Sequence, residues 1–177
     1  INPYNITFLT RRKIQRKKKS NLKKELNKVV EDFKYDDKYV YFPLHFEPER
    51  TTLPDGKEYH DQFFALVKLR NFLPPEIRIV VKEHPSQFLL TDRGPKGRSP
   101  LFYNLIKNIK NLTIVDTNTN SIELLLRSEF ITTITGSVAL EASILGKKTL
   151  TFGNTWYNGC PNTIKWSELL TYEEFKK

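Results

Sequence analysis

Residues 131–153, ITTITGSVALEASILGKKTLTFG, constrain this chain more than any other stretch. They read as a strand (130–135), a tight turn at Gly136, a helix (137–145), a stop at Gly146 and a second strand (149–152), the pattern of a parallel βαβ unit. Ser137 falls at the helix N-cap, where the N–H groups of the first turn and the helix dipole favour a phosphate. Gly136 admits a ligand where a β-carbon would exclude it. Glu141 follows Ser137 by one turn on the same face, and its carboxylate can accept two hydrogen bonds from a ribose diol. Val138, Ala142 and Leu145 form the apolar stripe expected to face the sheet. An ordinary α/β turn also fits, since acid in the first helical turn compensates the dipole. A capping box would instead place its acid where Leu140 stands.

The rest of the chain supplies partners for this unit. A β-rich run at 39–44 (YVYFPL) is the expected first strand, and it delivers His45 and Glu47 to its carboxyl end. In open α/β sheets ligands bind at that edge. After a turn at Pro54-Asp55-Gly56, a helix is expected over 59–72 with Phe63, Leu66, Val67 and Leu69 buried, ended by Pro74-Pro75. The second strand, 76–82, brings Lys82, Glu83, His84 and Pro85 to the same edge. A histidine held by a following proline beside a lysine suits a phosphate leaving group, although a loop histidine satisfied by a carbonyl would read the same way. Residues 88–100 read as a mobile loop rich in glycine, proline and arginine. A helix over 101–110, a strand over 112–116, an N-cap cluster ending at Ser121 and a short helix over 122–127 follow. Past the βαβ unit, Trp156 and Tyr157 either stack on a base or sugar or serve as core or interface residues, and a helix is expected over 166–175. Five strands alternating with helices predict an α/β fold, a doubly wound parallel sheet. Loops carrying His45 and Glu47, His84, Ser121, and Gly136, Ser137 and Glu141 converge on one edge of it.

The net charge of +9 belongs to one segment, because residues 11–24 carry nine lysines or arginines and no acid. That run reads as a solvated helix or linker, a surface for anionic lipid, or a nucleic-acid surface, and the lack of interleaved aromatics weakens the last. Leu22, Leu26, Val29, Val30 and Phe33 recur at helical spacing, so an amphipathic helix is expected over 21–33. The domain division expected is 1–35 for the basic segment and linker helix and 36–177 for a Rossmann-like nucleotide-binding domain. A lone Cys160 excludes an internal disulfide framework and fits a reducing compartment. Histidines at 45, 60 and 84 show no metal-ligand spacing, so neither metal nor cofactor is expected. No apolar run reaches the roughly 20 residues of a membrane span. A chain that opens on Ile1 and lacks methionine is expected to be a piece of a longer protein.

The succession FPLHFEPE, VKEHP and TGSVALEASILGKKTLTFGNTWY resembles the C-terminal half of bacterial capsule polysaccharide biosynthesis glycosyltransferases, which are similar to the Kdo transferases of the two-Rossmann GT-B architecture. The resemblance implies that His84 and Ser137 contact the donor phosphate and that Glu141 engages the ribose. It also implies a nucleotide-sugar donor, CMP-Kdo or similar, a lipid-linked glycan acceptor, and a cytoplasmic enzyme that can lie peripherally at the inner membrane. The general base would belong to an N-terminal acceptor domain, so this piece alone is expected to bind donor and catalyse little. His84 is the catalytic candidate, and Lys82, His45, Glu47, Ser121, Gly136, Ser137, Glu141 and Tyr157 are the substrate-binding candidates. Rival readings are a CDP-glycerol phosphotransferase of the teichoic-acid type, a UDP- or GDP-sugar transferase sharing only the fold, and a non-catalytic module binding anionic membrane or nucleic acid through its basic segment.

Overall fold

Tyr39 and Tyr41 turn to one side of the first strand and Val40 and Phe42 to the other, yet all four are buried. Such a strand must be covered on both faces. The computed structural model, which describes residues 7–35, 37–48, 52–89 and 94–177, meets this requirement. Its strands β1 (Tyr39–Pro43), β2 (Arg78–Lys82), β3 (Leu112–Val115), β4 (Ile131–Thr133), β5 (Thr149–Thr151) and β6 (Thr163–Lys165) form one parallel sheet in the order β3-β2-β1-β4-β5-β6. The helical segments are α1 (Phe8–Val29), α2 (Gln62–Phe72), α3 (Ser86–Leu89), α4 (Gly94–Gly97), α5 (Pro100–Lys107), α6 (Ser121–Arg127), α7 (Val138–Ile144) and α8 (Tyr172–Lys176).

The two faces are unequal. Helices α1, α2, α5 and α8 cover the larger core through Leu26, Leu66, Tyr103 and Phe175. Helices α6 and α7 cover the smaller one through Leu124 and Ala142. The chain changes face after β3, so the strand order reverses between β1 and β4, which share the single register pair Tyr41↔Ile131. That reversal is the doubly wound arrangement expected, and it opens a crevice at the carboxyl ends of those strands.

Several local expectations change. A sixth strand, β6, escaped the count because it is three residues long and partly exposed at the sheet edge. The expected 166–175 helix shrinks to α8, held by a capping box between Thr171 and Glu174, while Trp166 donates its indole N–H to the Tyr59 hydroxyl at 2.9 Å. The expected 59–72 helix is split. A 3-10 turn over Lys57–His60 ends at Asp61, whose carboxylate caps α2 by accepting the Phe63 N–H at 3.0 Å. Gln62 and Ala65 are buried beside Leu66 and Leu69, whereas Phe63 and Val67 are only half-buried. The basic run takes the solvated-helix alternative rather than the linker, and it is continuous with the helix expected to start at residue 21. It is the solvent-facing part of α1, which starts at Phe8 and docks through Leu22, Leu26 and Val29. Residues 94–100 are not a mobile loop either, since Arg98 is 3% exposed. Residues 88–89 of that expectation end α3, and the rest, at 90–93, lies outside the described residues.

Candidate functional site

A cleft of about 380 Å³ occupies the reversal point. Its floor comes from the end of β1 (Pro43 to Phe46), one wall from His84 after β2, the other from Thr133 to Val138 after β4, and its mouth from Trp156 and Tyr157.

Hydrogen bonds lock the wall after β4 to the floor. The Thr135 N–H donates to His45 Nε2 at 3.3 Å, and Thr133 Oγ1 lies 2.9 Å from the same nitrogen. An Nε2 that accepts puts the neutral ring's proton on Nδ1, so the Thr133 hydroxyl donates to the ring. Thr133 Oγ1 in turn accepts the Gly136 N–H at 3.2 Å. A β-carbon on Gly136 would meet Thr133 Oγ1 at 2.8 Å and His45 Cε1 at 3.3 Å, so only glycine lets the turn sit this close. Tyr157 is buried, and its hydroxyl donates to the Gly136 carbonyl. Burial pushes that phenol up to about 12, so it stays a donor at neutral pH.

On the opposite wall, His84 Nδ1 accepts the Ser86 N–H at 3.2 Å. This fixes the ring and leaves its proton on Nε2, a donor suited to an anionic oxygen. The His84 ring lies 6.2 Å from that of Phe46. Trp156, 85% exposed, is a rim residue rather than core.

The cleft gathers His45, His84, Gly136, Ser137 and Tyr157 from the sequence candidates. Ser137 holds the N-cap position but in helical conformation, and its hydroxyl makes no capping bond. It donates instead to Glu141 Oε1 at 3.3 Å, on the exposed side of α7. The stripe beneath is Ala139, Ala142 and Ser143, with Val138 partly buried. Leu145, 58% exposed, is not part of it. Lys82 and Ser121 lie apart from the cleft. The Lys82 ammonium is buried, donating to the Ser121 hydroxyl at 2.7 Å and to the Thr119 carbonyl. Desolvation lowers its pKa against the opposing pull of Asp116. Glu47 also turns away, to Arg98 at 3.4 Å and to Gln62.

Sequence reasoning missed the polar layer below the cleft. Gln62 accepts the His45 N–H at 2.8 Å and donates to the His45 carbonyl at 3.3 Å. Gln87 serves Glu47 in the same way, at 3.0 Å in each direction. Side-chain amides thus replace the strand neighbours that β1 loses past Pro43. Glu83, wholly buried, is paired with Arg98. The only signal in the sequence was Gln62 and Gln87, each standing directly before an apolar run.

Among the described residues no group of three or more His, Cys, Asp or Glu side chains could hold a metal ion, and no helix is long and apolar enough to cross a membrane. The sheet order and the crevice at its reversal define a Rossmann-like α/β domain. A family model described as capsule polysaccharide biosynthesis protein matches residues 4–164, and the chain belongs to that family. Comparison with curated proteins gives no match. Among solved structures it is similar to Thermosulfurimonas dismutans KpsC, beta Kdo 2,7 transferase, with TM-score 0.59 and 17% identity over 87% of this chain and 46% of that one. It is also similar to Thermosulfurimonas dismutans KpsC, beta Kdo 2,4 transferase, with TM-score 0.51 and 16% identity over 94% and 52%. At these identities the likeness is one of fold, and the chain spans about half the length of those structures.

Proposed function

We propose that this domain holds the nucleotide-sugar donor of a capsule or surface polysaccharide glycosyltransferase, with CMP-Kdo or a related CMP-sugar as donor and a lipid-linked glycan as acceptor. The observation that carries the reading is one cleft, in a capsule-family chain, where a fixed His84 faces a glycine turn locked by His45. In this reading the donor phosphate lies between His84 and the Gly136–Ser137 turn, with Glu141 reaching the ribose and Trp156 the base. As the bond from the anomeric carbon to the phosphate oxygen breaks, that oxygen gains charge. In this reading the His84 N–H and the backbone N–H groups of Ser137 and Val138, beyond the Gly136 N–H that Thr133 holds, stabilise that charge. The acceptor hydroxyl would lose its proton to a carboxylate of a separate acceptor domain, so the chain alone would bind donor and turn over little.

Calorimetry with CMP, CDP, UMP and GMP tests the assignment. Cytidine-selective binding weakened about tenfold or more by His84→Ala, the loss of one charge-assisted hydrogen bond, would support it. Equal binding of all four nucleotides, or a His84→Ala variant that binds as wild type does, would overturn it. Selective binding of CDP with turnover of CDP-glycerol would move the chain to phosphotransfer.

The exposed lysines and arginines of α1 support a second part of the reading, peripheral contact with an anionic membrane surface, where the acceptor lipid would be found.

A further inference from the structure

Beneath the cleft, two loops that come from different strands are tied to one side chain. Arg98 belongs to neither loop, since it lies between α4 and α5. Its guanidinium nevertheless reaches both. Nε donates to Glu83 Oε2 at 3.0 Å and Nη2 to Glu83 Oε1 at 3.3 Å, while Nη2 also donates to the His45 carbonyl at 2.9 Å. Glu83 Oε1 accepts the backbone N–H of His84 at 2.8 Å, and Tyr103 donates its hydroxyl to Oε2 at 2.7 Å. The approach is close enough that a β-carbon on the preceding Gly97 would fall 2.4 Å from the Glu47 carbonyl carbon. Packing alone does not call for this arrangement. An apolar side chain could fill the space beside Phe102, whose ring lies 4.3 Å from the guanidinium, without the cost of burying a charge.

We infer that Arg98 is a positioning residue of the donor site, a strut that sets the spacing of the His45 and His84 loops across the cleft by acting through Glu83 and the His45 carbonyl. This rests on the donor-site reading for its consequence but not for its geometry. A lysine at 98 keeps the charge but cannot span both loops, because an ammonium lacks the fork. Burial acts against the charged guanidinium, and Glu83 and Glu47 outweigh it, so its pKa is raised and the strut remains charged at any working pH.

The test compares Arg98→Lys and Tyr103→Phe with wild type in the full 177-residue chain. The first readout is NMR of the His84 backbone amide and of both imidazoles. The second is CMP affinity in a double-mutant cycle with His84→Ala. The inference expects the His84 amide and both rings to shift in Arg98→Lys, and the amide to shift in Tyr103→Phe. CMP affinity should fall roughly tenfold in Arg98→Lys but no further when His84 is already alanine, because residues acting through one another are not additive. Unchanged histidine signals, or losses that simply add, would overturn the inference. If Arg98→Lys does not fold, Tyr103→Phe decides, since it removes one hydrogen bond and no charge. If wild type binds no CMP, the donor reading fails while the histidine signals still judge the strut.

Discussion

Gly136 concentrates the site's constraints in the smallest residue it has. Gly136→Ala forces the new β-carbon against Thr133 Oγ1 and the His45 ring, so the turn must open. The expected cost is about 1–3 kcal/mol in denaturant unfolding, with weaker CMP binding. Thr132 is the converse case. Its hydroxyl is buried in β4 with no hydrogen-bond partner among the described residues. Thr132→Val replaces that group by a methyl of similar shape, and a gain of about 1 kcal/mol in the same unfolding experiment is expected. The glycine turn was legible in the sequence because a strand, a glycine and a helix start leave few other conformations. Glu83 and Arg98 were not, since in a sequence two charged residues 15 apart read as solvated loop. Only the three-dimensional approach of their chains shows that each is the other's reason for being buried.

Elements built on apolar periodicity were easier to read than those held by a few contacts. Strands β1, β2 and β3 are runs of β-branched and aromatic residues and fell where expected, whereas β6 exists because β5 offers it an edge. Helix α1 teaches the same lesson in reverse. A charge run carries little periodic signal, but Leu22, Leu26 and Val29 anchor the helix, and the basic residues continue it outward from that anchor. Leu26→Ala is therefore expected to cost about 2–5 kcal/mol, as for other buried leucines, and to reduce the helical signal in circular dichroism with urea. A smaller effect belongs to α6, where Asn120 accepts the Ile122 N–H at 2.9 Å. Asn120→Ala should cost about 1 kcal/mol, measured the same way.

At the scale of the molecule, the sheet order brings β1 and β4 together and thereby places two histidine loops opposite a glycine turn. The basic helix gives the domain a second property that does not depend on that cleft. Binding to vesicles of anionic lipid should weaken steeply as ionic strength passes about 0.1 M, where the Debye length is about 10 Å, and should be indifferent to His84→Ala. Sedimentation of the protein with such vesicles across a salt series reads both. Where a nucleotide sits on the domain decides between the cleft and every other surface. A crystal structure of the chain with CMP is the most direct measurement. It should show the phosphate within hydrogen-bond distance of His84 Nε2 and of the Gly136–Ser137 turn, with the ribose at Glu141. CMP seated in the neighbouring cavity of about 340 Å³ beside Asp61 and Phe102, or with its phosphate turned away from His84, would contradict it.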